Sequence, residues 1–162
     1  MPANPLAVYL KDHHAGSEAA LEILDHLEST HAAEAGPLVQ KLRPEFLGER
    51  DQVSRLLAKL DDSVSVPRRI AGWLSEKGVE LKLRADDLAE GPLHLLEAVE
   101  LLSLGVHGKR GLWVALLANK ELDPVLMGVD YEQLIGQADV QRELIEGVRL
   151  TAAKKVISMP RT

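Results

Sequence analysis

Between Pro92 and Ala118 the chain reads PLHLLEAVELLSLGVHGKRGLWVALLA, and its apolar residues go most of the way round any helix built from it. At roughly 100° per residue, Leu95, Val99, Leu102, Val106, Trp113 and Leu117 fall on one stripe, while Leu101, Leu104 and Leu112 fall well away from it. A helix apolar on more than one side is covered on more than one side, so this stretch predicts a central helix with the rest of the chain as its cover. Pro92 suits a first helical turn, where a missing N–H costs nothing, and Asp123-Pro124 is a stop signal. Gly105, Gly108 and Gly111 interrupt the pattern and predict close helix packing or a kink.

Helical periods recur on both sides. Residues 6–34 place Leu6, Leu10, Ala20, Leu24 and Leu27 at helical spacing, and AAEAGP (32–37) reads as the turn that ends this helix. Residues 38–60 carry Val39, Leu42, Phe46, Val53, Leu57 and Leu60 on a stripe, with Pro44 inside the pattern as a kink or a late start. A capping-rich loop, DDSVSVP, then leads to a shorter helix with Ile70, Trp73, Leu74 and Lys77 on one face and Gly78 near its end. The last helix, residues 130–157, shows Tyr131, Leu134, Ile135, Ala138, Ile145, Val148, Ala152 and Val156 close to a heptad seam. Every long apolar period is near 3.6, leaving room for no sheet beyond a short pair near Val79 and Leu83. The expected fold class is all-α: an up-and-down bundle of four long helices plus one shorter helix, in a single domain of 162 residues.

Composition removes several function classes. A formal charge of −6 and a pI near 5.5 argue against a nucleic-acid partner, because phosphate contacts call for a basic face. The basic end, with Arg149, Lys154, Lys155 and Arg161, reads as charge complementing a helix C-terminus. The chain has no cysteine, which excludes disulfides and thiolate chemistry and is compatible with a reducing cytoplasm. Its opening, MPANPLAVYLKDHH, has neither a basic start nor an unbroken apolar run, so no signal peptide is expected. No charge-free stretch of about 20 residues exists to span a membrane. Phosphate loops, a nucleophile elbow and zinc-protease spacing are all absent, and Ser17, Ser54 and Ser103 have no triad spacing around them. Trp73 and Trp113 read as core anchors.

The informative residues are polar ones on apolar stripes. His13, Glu28 and His31 share the stripe of the first helix, whereas Asp12, Glu18, Glu22 and His26 fall off it. Glu49 or Arg50 stands where the second seam expects an apolar residue, and Glu100 and His107 share a secondary face of the central helix. Buried charges need partners, so carboxylates and imidazoles facing a bundle interior admit a metal site. A di-iron bundle uses two Glu-x-x-His motifs. This sequence has one, Glu28 with His31; His94 and Glu97 run in the reverse order, and the last helix has no histidine. A mononuclear site would draw on His13, Glu49 and Glu100 or His107 and could take iron or zinc; the wider set of metal candidates, for iron, manganese or zinc, adds Asp12. It needs those residues at one height. With the turn near Gly36, His13 is expected beside residues 57–60, about two turns from Glu49.

The stretches YLKDHHAGSEAALEIL, RRIAGWLSEKGVELKL and LLEAVELLSLGVHGKRGLW resemble a group of uncharacterised bacterial helical-bundle proteins described as ferritin-like. The resemblance covers most of the chain. It rests on Tyr9, Leu10, Asp12, His13, Ala15 and Gly16, then on Glu45, Glu49 and Arg50, then on residues 104–109 with Glu100 before them. It implies a four-helix-type bundle and brings no assigned activity, since a shared fold does not carry function. The leading expectation is a soluble, cytoplasmic, non-enzymatic structural or protein-interaction bundle without a cofactor. Its partner would be another protein, or a second copy met through the mixed polar and apolar face of an outer helix. The alternative is a ferritin-like metal-binding protein.

Overall fold

The computed structural model describes residues 4–60 and 91–160. Four α-helices account for most of them: α1 (Pro5–Thr30), α2 (Ala32–Lys59), α3 (Pro92–Ala118) and α4 (Tyr131–Ile157). The expected shorter helix around Trp73, and any strand pair near Val79 and Leu83, lie outside the described residues. Helices of 26 to 28 residues are about 40 Å long, so each runs the height of the bundle. No helix among the described residues is long and apolar enough to cross a membrane.

The first turn differs from expectation. A single residue, His31, separates α1 from α2: its N–H bonds to the Leu27 carbonyl and its own carbonyl accepts from Ala35, both at 2.8 Å. Residues 32–37 are therefore the opening of α2 and not a loop. Ala, Ala and Glu are good helix formers, and neither proline does much damage. Pro37 and Pro44 are exposed, as are Ala33 and Gln40, whose carbonyls lose their helical donors to the two prolines. Water can satisfy such carbonyls, so α2 continues through both positions.

Two apolar clusters fill the interior. One joins Leu24 and Leu27 of α1, Leu38 and Leu42 of α2, Leu95 and Leu102 of α3, and Ile145 and Ala152 of α4. The other joins Ala7 and Leu10, Val53 and Leu57, Leu112 and Trp113, and Tyr131. The start of α1 thus lies with the ends of α2 and α3 and with the start of α4. Around the bundle the order is α1, α2, α4, α3, and every neighbouring pair runs antiparallel. In chain order the directions are up, down, down, up, so α2 ends and α3 begins at opposite ends of the bundle.

A compact connection links α3 to α4. Asp123 caps a short 3-10 turn at Val125 N–H (2.9 Å), Leu126 is buried, and the Tyr131 hydroxyl donates to the Leu126 carbonyl at 2.8 Å. Gly128 has φ +81°, where a side chain would strain the backbone. Asp130 then caps α4 at Gln133 N–H, 3.0 Å away.

The expected cover of α3 on every side is not found: one side of the helix faces solvent along its length. Leu112 is fully buried and Leu101 packs against the first cluster, but Leu104 is 67% exposed. The three glycines also differ from expectation: Gly105, Gly108 and Gly111 are exposed, nothing stands where a Cβ would go, and α3 runs unbroken through them. With Leu104 on that open side, Leu104→Ala should leave the unfolding free energy from denaturant melts within about 0.5 kcal/mol of the parent protein. A loss like that of a core leucine would mean this side is covered.

Candidate functional site

Between the two apolar clusters lies a polar layer built from three of the four helices, α2, α3 and α4. On α3 the core stripe runs Leu102, Val106, Lys109, Trp113, so its spacing drives a lysine into the interior. On α2, Phe46, Glu49 and Val53 do the same for a glutamate, and on α4 Ala138, Gln141 and Ile145 do it for an amide. Glu49, Lys109 and Gln141 are only 2%, 6% and 0% exposed. Charges that deep need a partner, and the diagonal placement of α2 and α3 supplies one across the bundle axis.

The Lys109 ammonium donates to Glu49 Oε2 at 2.5 Å and sits 4.1 Å above the centre of the Phe46 ring, in cation–π contact. The other oxygen, Glu49 Oε1, accepts from Gln141 Nε2 at 2.7 Å, and the same amide nitrogen donates to Glu45 Oε2 at 2.9 Å. Gln141 Oε1 is buried without a hydrogen-bond partner. Outside this group, a shallow cleft of about 320 Å³ between α2 and α4 is lined by Pro44, Glu45, Gly48, Glu49, Leu134 and Gln137.

His13 borders the layer from α1. The earlier turn corrects its height: His13 and Glu49 each lie 18 residues from His31 (31 − 13 and 49 − 31), so they share a level instead of standing two turns apart. Its ring meets Tyr9 edge-on at 4.8 Å. Burial, and then the positive charge of Lys109, hold the His13 imidazole below its ordinary pKa. A histidine that binds its proton less readily when folded contributes stability above its unfolded pKa near 6.5, and that contribution is lost as pH falls through the lower folded value. His13→Gln should therefore reduce the fall in urea midpoint between about pH 7 and pH 5. An unchanged pH dependence would mean that the fold does not hold the His13 imidazole below its ordinary pKa.

The remaining sequence candidates stand apart from one another. Glu100 is exposed and pairs with Arg149 at 3.5 Å. His107 is exposed on the outside of α3. Asp12 is half-buried, and burial raises its carboxyl above the ordinary value. Glu28, placed by the sequence on the α1 stripe, instead points outward to Arg43 at 2.6 Å, and Arg43 also holds Asp25. Glu28 and His31 therefore do not converge. Among the described residues no three His, Cys, Asp or Glu side chains form a metal-holding group. The donor chemistry agrees, since the buried carboxylate that a cation would seek is already held by an ammonium and an amide.

Sequence spacing did not point to a second feature, at the end of the bundle. His94 Nε2 lies 2.9 Å from His26 Nε2, and His94 Nδ1 lies 2.9 Å from His31 Nε2. The His94 ring stacks on His31 and meets His26 edge-on. Each of the two bonds needs one proton, and neutral rings can supply them in either of two tautomeric directions. The chain ties the last turn of α1 and the single-residue link to the first turn of α3. It could be read from sequence only by knowing that α3 begins beside that link.

Comparison with protein-family models, with curated proteins and with solved structures finds no match for this chain.

Proposed function

We propose that the protein is a non-enzymatic, cytoplasmic helical bundle of the ferritin-like kind it resembles in sequence, acting as a structural or protein-interaction module. One observation carries this reading: the groups best placed for chemistry at the centre of the bundle are spent on one another. Glu49 has both oxygens bonded, one to Lys109 and one to Gln141. Binding iron, manganese or zinc there would require the lysine to leave a carboxylate in a buried setting, where breaking such a pair is costly. The directions of the four helices, with one connection running between opposite ends, are also those of ferritin-like bundles.

The interaction half of the reading is supported by the outer side of α3. Leu93 and Leu104 are exposed there, and glycines 108 and 111 leave the backbone open to close approach. The partner is another protein or a second copy of this chain.

The test is elemental analysis of untagged protein dialysed without chelator. The expected result is no stoichiometric iron, manganese or zinc. A stoichiometric metal that is lost in Glu49→Ala would replace this reading by the metal-binding one.

A further inference from the structure

The pairing of Lys109 with Glu49 has the form of a binding site with its ligand attached. The walls belong to other helices. Phe46 and Glu49 stand three residues apart on α2, which puts the aromatic face and the carboxylate on one side of that helix. Gln141 of α4 holds Glu49 Oε1 from behind and is itself anchored by Glu45. The carboxylate is therefore oriented by contacts that do not involve the lysine. The ammonium arrives from α3, connected only through its own four-carbon stem.

The walls also select a chemical class. Facing the ammonium they offer one carboxylate oxygen and the face of a phenyl ring. A primary ammonium is satisfied by that combination, through a charge-assisted hydrogen bond and a cation–π contact. A divalent metal wants several oxygen or nitrogen donors, and a phenyl ring supplies none. Glu45 and Glu49 line the cleft between α2 and α4, which brings solvent to the edge of the layer on that side.

From this geometry we infer that the polar layer is a primary-ammonium site in which Lys109 is the tethered occupant. The inference rests on the reading of the layer as free of metal. Cutting the lysine back to Cβ removes three carbons and the ammonium, which together match n-propylammonium, and that free ion should bind in their place.

The experiment uses the full chain carrying Lys109→Ala, with thermal unfolding followed by circular dichroism. Added n-propylammonium should raise its Tm by about 3–5 °C at roughly tenfold over the dissociation constant, and beyond that in proportion to the logarithm of its concentration. Neither 1-propanol, of the same size without charge, nor manganese chloride should do so. The parent protein and Glu49→Gln/Lys109→Ala should not respond to the amine. If Lys109→Ala is unfolded in plain buffer, recovery of helicity on adding n-propylammonium but not 1-propanol is the same result. No response to the amine, an equal response to 1-propanol, or a response to manganese would overturn the inference. Failure there leaves the metal content of the parent protein unchanged, whereas stoichiometric metal in the parent protein would remove the functional reading itself.

Discussion

Lys109→Ala is expected to destabilise the fold by about 3–5 kcal/mol, because it leaves the Glu49 carboxylate buried without its cation. The size of the loss comes from burial and not from the attraction alone. Taking two charges out of water costs nearly as much as their pairing returns, so the intact pair adds little net stability. Glu49→Leu/Lys109→Met removes both charges and keeps the volume. It should lie within about 1 kcal/mol of the parent protein, or above it. Denaturant midpoints for the two variants decide the matter. A single substitution costing no more than a surface pair would mean that water reaches Glu49 freely.

Trp113→Ala should be comparably damaging, at about 3–5 kcal/mol, for a reason of packing. Trp113 is fully buried in the apolar cluster that includes Tyr131, with the two ring centres 6.4 Å apart, and no smaller side chain fills that volume. The polar end of the ring contributes nothing comparable, since its Nε1–H is buried without a hydrogen-bond partner. Removing that N–H removes an uncompensated cost as well as some packing. Trp113→Phe is therefore expected to lose only about 1–2 kcal/mol, well short of the alanine variant. Equal losses for Phe and Ala would contradict the packing account, because the phenyl ring would then recover none of the lost contacts.

The parts of the architecture that could be read from the sequence were those set by local period. The bounds of α3 fall where Pro92 and the apolar run place them, and Tyr131, Ala138, Ile145 and Ala152 of α4 face inward as the heptad seam places them. The α1–α2 turn was misplaced because Gly36-Pro37 looks like a stop in isolation. A proline whose lost bond faces solvent does not stop a helix that tertiary packing holds. That one shift decided which side chains share a level, and so the relation of His13 to Glu49.

Lys109 lay within reach of the same reasoning. Its spacing of three from Val106 and four from Trp113 marks the core stripe, but a lysine is ordinarily taken as solvated. The partnership of His94 with His26 and His31 was beyond it, because contacts between the ends of separate helices depend on bundle topology. Glu28 went the other way: one turn from the helix end, Arg43 across the hairpin drew it outward.

The measurement that bears most directly on the central claim is nitrogen-detected NMR of lysine ammonium groups in the parent protein at neutral pH, with zinc added in steps. If Lys109 is the resident cation of the polar layer, its Nζ protons should exchange slowly with water, the signal should disappear in Lys109→Ala, and zinc should leave it unmoved. A Lys109 signal that exchanges like the surface lysines, or one that zinc displaces as the ion takes the Glu49 carboxylate, would contradict the account.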